Sequence, residues 1–157
     1  MFFLVHLSNA QEKISIGIYN DVKLGLGLDK EHLNPNPTLD LIINVNLEGK
    51  QLNGYYFSLQ PFYEQANLHS GYFKRYGFNT TWTFNSYYRF ETSITTGLGM
   101  ILRHGIQLPS YQIGSEVSYE LFSRFKIALK YEFIRRGDIQ AFRHNVYGGF
   151  KYDLVRL

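Results

Sequence analysis

Apolar and polar residues alternate along most of the chain, most clearly in the stretch YRFETSITTGLGMILR at residues 88–103. Every second residue from Tyr88 is aromatic, aliphatic or threonine, whereas the residues between them are mainly charged, small and polar, or glycine. Successive side chains of a β-strand point to opposite faces. The stretch therefore predicts a long strand whose two faces meet different environments.

The same alternation predicts eight strands and no helix in a single all-β domain. Pro61 lies inside the third segment, and we expect it at a bulge or a similar position, because proline cannot donate a ladder hydrogen bond. The eight segments are 13–28, 38–47, 52–65, 71–84, 88–103, 110–121, 125–136 and 142–155.

The distribution of charge indicates which face is inside. Eighteen charged residues and nine glycines fall on one face, whereas the apolar face carries only Lys74 and Arg135. An eight-stranded barrel has an interior just wide enough for ordinary side chains, so the large apolar face does not fit there at normal packing density. The sequence predicts an eight-stranded antiparallel up-and-down transmembrane β-barrel with its apolar face towards lipid. A soluble lipocalin-like barrel is the alternative, with the faces reversed.

Aromatic residues make up 17% of the chain and fall near both ends of the predicted lipid face. Such girdles are typical of membrane–water interfaces. We predict that Tyr63, Tyr72, Tyr76, Tyr111, Phe133 and Phe142 form the outer girdle. We predict that the periplasmic girdle consists of Tyr55, Trp82, Phe84, Tyr88, Phe90, Tyr119, Phe125 and Tyr152.

The lengths of the connections suit a barrel with short periplasmic turns and longer outer loops. The predicted periplasmic turns are 48–51, 85–87 and 122–124, and the predicted outer connections are 29–37, 66–70, 104–109 and 137–141. We interpret residues 1–10 as the remnant of a signal peptide and residues 11–157 as the barrel domain, because Ser8-Asn9-Ala10 has the spacing of a signal peptidase site. An ordinary frayed N-terminus is the alternative.

Over about residues 13–157 the chain resembles small outer-membrane β-barrel proteins of the OmpA-transmembrane-domain or OmpW-like type. The resemblance rests on strand number, alternation, girdles and loop lengths. It implies a location in the outer membrane of a Gram-negative bacterium, and contacts with outer-membrane lipid and lipopolysaccharide. Five cations towards the outer rim are candidates for contacts with lipopolysaccharide phosphates: Lys74, Arg75, Arg135, Arg136 and Arg143.

The predicted lumen contains basic and acidic side chains in similar number. Because an unpaired buried charge is costly, we expect them to form an ion-pair network that fills the barrel. A narrow gated ion path is the alternative. The predicted network consists of Arg75, Arg89, Glu91, Arg103, Glu116, Glu120, Lys126, Lys130, Glu132, Arg136, Arg143 and Lys151.

Catalytic and cofactor signals are weak. The chain has no cysteine, and its net charge of +3 comes from scattered residues, which does not favour nucleic-acid binding. His69 and His104 have no acidic neighbour to orient them, and nucleophilic catalysis needs a complete arrangement. His32, His69, His104 and His144 lie near different outer connections, but their spacing lacks a paired metal motif.

These observations favour a structural role or an accessory role in a larger outer-membrane complex, without cofactor, metal or catalysis. A narrow channel or transporter for small or hydrophobic solutes is one alternative. An enzyme that modifies lipid in the outer leaflet is the other.

Overall fold

The computed structural model describes residues 11–22, 39–68, 71–85 and 89–156 of the 157-residue chain. The predicted signal-peptide remnant lies outside the described residues, as do Tyr88, His32 and His69. The described residues form eight strands. These are β1 (Gln11–Asp21), β2 (Leu39–Gly49), β3 (Tyr55–Leu68), β4 (Gly71–Asn85), β5 (Phe90–Arg103), β6 (Ile106–Phe122), β7 (Phe125–Arg136) and β8 (Ala141–Arg156).

The strands form a closed barrel in which each pairs with its neighbours in the chain and β8 returns to β1. Every pairing is antiparallel, and the closing pair places Ile18 opposite Phe150. Closure leaves no free sheet edge, which a barrel in lipid requires. The predicted fold is confirmed. No helix in the described part of the chain is both long and apolar enough to span a membrane.

The two faces of the strands have the predicted environments. On β5, Leu98 is 64% exposed on the outer face, whereas Ser93 is 1% exposed on the inner face. On β7, Leu129 is 56% exposed, and its neighbour Lys130 is 1% exposed. Apolar side chains therefore cover the outside of the barrel, and charged and polar side chains are buried in the lumen.

The lumen also contains apolar groups that the charge pattern did not emphasise. One buried cluster lies on β1, β2, β7 and β8, and a second lies on β3, β4 and β5. These side chains fill the space between charged groups. The first cluster consists of Tyr19, Ile42, Ala128 and Tyr147, and the second of Ala66, Phe73 and Ile101.

Two glycines face each other across β4 and β5, and one of them makes room for a large inner side chain. Gly77 pairs with Gly99. A Cβ atom at Gly99 would lie 2.7 Å from the carbonyl oxygen of Tyr76 and 3.1 Å from the ring of Phe62. Real Cβ atoms do not approach a backbone oxygen so closely, so the absence of a side chain at Gly99 allows Phe62 to point into the lumen.

The connections differ from the predicted asymmetry. We use "terminal end" for the end where β1 begins and β8 finishes, and "distal end" for the opposite end. At the distal end, β5 and β6 are joined by His104 and Gly105 alone, with φ angles of 50° and 80°. Two positive φ angles are typical of a two-residue hairpin turn.

The prediction of longer outer loops is therefore wrong for the distal connections that the structure describes. The distal turns at 104–105 and 137–140 have two and four residues, and the described terminal-end turns at 50–54 and 123–124 have five and two, so the distal turns are not the longer ones. Strand β6 begins at Ile106 rather than at residue 110, because pairing with β5 continues up to the tight turn.

Pro61 does not lie at a bulge. It stands opposite Phe78 in an uninterrupted register between β3 and β4. On the other side, the described ladder between β2 and β3 has a gap between the pairs Asn44–Phe62 and Leu47–Leu59. The missing N–H of Pro61 is thus accommodated by an interruption of the ladder towards β2 without a change of register.

We expect the folded protein to migrate differently in SDS gels before and after boiling. A closed barrel has no free edge at which SDS can begin to separate the strands, so the unheated form should stay compact. The measurement is gel mobility of the membrane-fraction protein with and without boiling. A single mobility would contradict the assignment of the apolar face to lipid.

Candidate functional site

Arg75 lies inside the lumen and is the centre of a cluster of polar contacts; it is 1% exposed. Its Nε donates to Glu64 at 2.5 Å, and its Nη2 lies 3.1 Å from Glu132. A further hydrogen bond reaches Gln112, and the ring of Phe62 lies 4.8 Å from the guanidinium carbon. Arg75 therefore connects β4 to β3, β6 and β7 across the barrel.

The central cluster continues towards the terminal end. Lys130 Nζ lies 2.5 Å from Glu132 and 5.4 Å from the ring of Tyr19. The Tyr19 hydroxyl donates to Glu116 at 2.9 Å, and Glu116 also pairs with Lys151. The charged groups thus neutralise one another from the Arg75 contacts towards the terminal end.

Two further ion-paired groups lie near the terminal end. Lys126 Nζ is 2.6 Å from Glu91. Lys13 Nζ is 2.9 Å from Glu48 and 3.1 Å from Asp153, so it links β1 to β2 and β8. The side chains of these pairs occupy the lumen near the terminal end.

At the distal end, Arg143 lies between two carboxylates. Its Nη2 is 3.1 Å from Asp40 and 3.7 Å from Asp21. The hydroxyl of Tyr147 lies 3.3 Å from the same oxygen of Asp40. This group occupies the side of the mouth formed by β1, β2 and β8.

The turn at 137–140 covers the other side of the mouth. Asp138 accepts two hydrogen bonds from Arg136, at 3.0 and 2.6 Å, and one from Arg103 at 3.3 Å. Burial alone would raise the pKa of Asp138, but hydrogen bonds and charge attraction from Arg136, and then from Arg103, outweigh it and lower the pKa. Asp138 is therefore held in its charged form as the link between two cations.

Ten of the twelve residues of the predicted network take part in these ion pairs. The other two do not belong to the lumen pairs of the described chain: Arg89 is exposed in the turn before β5, and Glu120 is half-buried near the end of β6. Their backbones meet instead, since Glu120 N donates to the carbonyl oxygen of Arg89 at 2.9 Å.

The predicted network omitted seven partners. Glu64 and Asp40 stood on the polar face of the alternation, so parity was a signal that could have identified them. Glu48 and Asp138 lie in predicted turns, where the alternation carries no such signal. The omitted residues are Lys13, Asp21, Asp40, Glu48, Glu64, Asp138 and Asp153.

Large side chains fill the barrel at several heights. Arg75, Tyr19, Tyr147, Phe73 and Lys130 are all less than 2% exposed. The interior of an eight-stranded barrel is only wide enough for side chains. Among the described residues, the ion-paired groups contain eight cations and nine anions, so the filling is also nearly neutral.

The predicted terminal-end aromatics lie on the outer face where the structure describes them. Phe90 contacts Tyr119 with ring centroids 4.7 Å apart, and Phe125 stacks on Phe150 at 5.3 Å. Trp82 is 55% exposed. Tyr88 lies outside the described residues, and the remaining members are Tyr55, Phe84 and Tyr152, each exposed.

Three of the five predicted rim cations are turned away from lipid. Arg75, Arg136 and Arg143 point into the lumen and form the ion pairs above, because they occupy the inner parity of their strands. The prediction as lipopolysaccharide contacts is wrong for Arg75 and Arg136, which are buried, and stays a prediction for Arg143, which is partly exposed at the distal mouth. Lys74 and Arg135 remain on the outer face, each beside an aromatic ring.

The two described histidines of the outer half are in separate places. His104 is exposed in the two-residue turn, whereas Nδ1 of His144 lies 2.5 Å from the Tyr131 hydroxyl on the outer face. Within the described part of the chain, no three histidine, aspartate or glutamate side chains form a group that could hold a metal ion.

No family model and no curated protein matches the sequence. The structure of the Yersinia pestis outer membrane protein Ail in a phospholipid bilayer nanodisc is similar, with a TM-score of 0.62 and 14% identity over 92% of this chain and 100% of that chain. A crystal structure of Ail, the attachment invasion locus protein of Yersinia pestis, has a TM-score of 0.52 and 15% identity, over 92% of this chain and 99% of that chain. A de novo designed transmembrane β-barrel has a TM-score of 0.55 and 9% identity, over 92% of this chain and 97% of that chain.

These similarities show the fold. The chain has the architecture of small eight-stranded outer-membrane β-barrels, as its resemblance predicted. The predicted location in the outer membrane agrees with that of Ail.

We expect Arg75→Leu to lower the free energy of unfolding by about 3–5 kcal/mol, because Glu64 loses its ion-pair partner in the lumen. Lys74→Leu is the matched control. It changes the adjacent residue of β4 on the outer face and should alter stability by less than about 0.5 kcal/mol. The measurement is urea unfolding of the reconstituted barrel, followed by Trp82 fluorescence.

The double variant Arg75→Leu/Glu64→Leu should recover part of the loss, because it removes the unpaired carboxylate. Equal destabilisation by Lys74→Leu and Arg75→Leu would contradict the assigned role of the lumen pairs.

Proposed function

We propose that this chain is a structural protein of the Gram-negative outer membrane. Its closed barrel supports membrane integrity, or docks as a small accessory subunit to a larger outer-membrane assembly. It contacts outer-membrane lipid and lipopolysaccharide and works without a cofactor. The observation that carries the proposal is the lumen, which is filled by neutral groups of ion-paired side chains.

A filled lumen favours a structural role over transport. An ion that crossed the barrel would have to displace Arg75 from Glu64 and Glu132, and then Lys151 from Glu116. Each displacement leaves a buried charge without its partner, which is costly. The apolar clusters around Tyr19 and Phe73 occupy much of the remaining space.

The described histidines favour a role without catalysis. A nucleophile, a base and an orienting group must lie within hydrogen-bond distance of one another. His144 faces outwards and is bonded to Tyr131, whereas His104 is exposed in a turn between other strands. These two side chains do not belong to a common cluster.

We expect the purified protein to produce no stable conductance steps in planar lipid bilayers, because Arg75 and its partners Glu64, Gln112 and Glu132 close the lumen. A general porin, added to the same bilayer afterwards, is the positive control. Stable steps from the wild-type protein would contradict a closed structural barrel and favour a narrow channel.

One sector of the outer face supports the accessory form of the proposal. Residues 20–54 contain no phenylalanine, tyrosine or tryptophan, although aromatics make up 17% of the chain. The aromatic residue of β1, Tyr19, points into the lumen. Amphipathic rings favour the membrane–water interface, so a lipid-facing sector without them is unusual. We infer that a partner protein contacts this part of the outer face instead of lipid. We call it the β1–β2 sector, and it consists of Ile14, Ile16, Ile18, Leu41, Ile43, Val45 and Leu47.

We expect photoreactive residues at Ile16 or Ile43 to crosslink in cells to one larger outer-membrane protein, because they lie in the β1–β2 sector. Phe78 and Leu98 are matched control positions, which are outward-facing on β4 and β5. The measurement is the mass of adducts on denaturing gels. Adducts of equal yield from both pairs, or from neither, would contradict docking through this sector.

A further inference from the structure

An exposed cation lies in the turn between β6 and β7, at the terminal end of the barrel. This residue, Arg124, forms no ion pair with a described residue, whereas the nearby Lys126 is paired with Glu91 in the lumen. The backbone of the turn is fixed, because the carbonyl oxygen of Arg124 accepts a hydrogen bond from the N–H of Asp153 on β8 at 2.9 Å. Arg124 is therefore held at the rim, where its charge can meet an anion outside the protein.

Arg124 borders an apolar groove at the terminal end of the outer face. Phe125 stands opposite Phe122 in one ladder and opposite Tyr152 in the other. The groove has a volume of about 430 Å³, which lies within the range of ligand pockets. Its lining residues are Phe122, Ser123, Arg124, Phe125 and Tyr152.

An irregularity at the end of β6 brings Phe122 into the groove. By parity Phe122 would follow Ser118 and Glu120 towards the lumen. The ladder between β6 and β7 shifts its register between Glu120 and Phe122, and such a bulge can re-aim a side chain. Phe122 is 70% exposed there. An exposed phenylalanine beside an exposed arginine suits a ligand that has both an apolar part and a negative charge.

The apolar surface continues from the groove towards the middle of the barrel wall. Phe125 stacks on Phe150 with ring centroids 5.3 Å apart and an interplanar angle of 27°. Ile127 follows on β7 opposite Phe150, and it is exposed on the outer face. The order is thus a cation at the rim, then aromatic rings, then aliphatic side chains. A phospholipid has the same order, with its phosphate at the interface and its acyl chains in the apolar region.

The terminal end is the periplasmic end in the proposed membrane position, because it carries both ends of the barrel and the predicted periplasmic girdle. Phospholipid forms the periplasmic leaflet of the outer membrane, whereas lipopolysaccharide lies in the outer leaflet. The anion that this leaflet presents to Arg124 is therefore a phospholipid phosphate. A guanidinium binds phosphate oxygens in a bidentate manner, which gives the contact a defined geometry.

We propose that this groove is a site for an anionic phospholipid of the periplasmic leaflet, with its phosphate at Arg124 and an acyl chain along Phe125 and Phe150. The site rests on the proposed function, because it needs the barrel in the outer membrane with its terminal end towards the periplasm. It does not depend on the closed lumen or on a partner at the β1–β2 sector.

Lys50 provides a matched comparison at the same end of the barrel. It is exposed in the turn between β2 and β3, and it forms no ion pair with a described residue. The residues that follow it in the turn are Gln51 and Leu52 rather than aromatic rings. A lysine ammonium is a point charge without the bidentate geometry of arginine. We expect Lys50 to contact headgroups without selecting an anionic lipid.

The test compares two single-tryptophan proteins. Trp82, the one tryptophan of the chain, is exposed near the terminal end of β4 and reports on lipid away from the groove. Trp82→Phe/Ile127→Trp moves the reporter to β7, beside the groove. Both proteins are reconstituted in mixed phosphatidylglycerol and phosphatidylcholine vesicles, in which one or the other lipid is dibrominated and quenches the fluorescence of a nearby tryptophan.

We expect brominated phosphatidylglycerol to be enriched about five-fold over its share of the vesicle at the Ile127→Trp reporter, from one charge contact near the interface. Arg124→Gln should remove the enrichment, and it retains the backbone carbonyl that bonds to Asp153. Lys50→Gln should leave the enrichment unchanged, and the Trp82 reporter should follow the bulk composition.

Equal enrichment at both reporters, or enrichment that survives Arg124→Gln, would overturn the site. Loss of the enrichment in Lys50→Gln would also overturn it, because the effect would then come from the general charge of the rim. No enrichment in a folded barrel would overturn the site and favour an acidic periplasmic protein as the partner of Arg124. Each variant is first checked by its mobility in SDS with and without boiling, and failure to form a barrel counts against the proposed membrane function instead.

The leaflet is tested separately in intact cells. The chain has no cysteine, so Lys50→Cys introduces a single thiol in a terminal-end turn. A polymer-linked maleimide that is too large for porins should label this variant only after the outer membrane has been permeabilised. Labelling of intact cells would place the terminal end on the lipopolysaccharide side and overturn the assignment to a phospholipid.

Discussion

A charge inside a narrow barrel must have a partner inside the same barrel, and this constraint organises the structure. Arg75 meets it with Glu64, Glu132 and Gln112, which come from three different strands. The cost of an unpaired buried charge is several kcal/mol, whereas a fully hydrogen-bonded group is tolerated. The side chains that satisfy Arg75 also bring β3, β4, β6 and β7 to fixed positions around the lumen.

The outer face follows from the same constraint. Once the charges are enclosed, the large apolar residues of each strand must point outwards, and lipid is the environment that accepts them. Gly99 then serves the interior, because its lack of a side chain leaves space for the ring of Phe62, which lies beside Arg75. The function we propose depends on this separation of a filled polar lumen from an apolar outer face. A filled lumen leaves no open path for a solute, and an apolar outer face suits a lipid environment.

The period-two pattern was sufficient to predict the strands, the faces and the closed barrel, because each strand has one apolar and one polar side. It did not predict which charges would pair. Arg75 and Glu132 are 57 residues apart, and their contact exists only when the barrel has closed with the correct register. Asp138 lies in the predicted outer connection 137–141, yet its turn folds back onto Arg136 and Arg103. The connection predicted at 104–109 has only two residues, because His104 and Gly105 have the positive φ angles of a tight hairpin turn. The contact of Arg135 with the ring of Phe142 could not be predicted either, because it depends on the register between β7 and β8.

The two-residue turn at His104 has a consequence for the order in which the barrel folds. It joins β5 and β6 in an unbroken ladder from Phe90–Tyr119 to Arg103–Ile106, so these contacts form between residues close in the chain. The pairing of β1 with β8 joins Ile16 to Tyr152 and includes a register shift. Contacts between distant residues form slowly, because a long loop must close first. We therefore expect hairpins such as β5–β6 to form early, and the seam between β1 and β8 to close last. Until that seam closes, the edges of β1 and β8 are open to any other strand in the membrane.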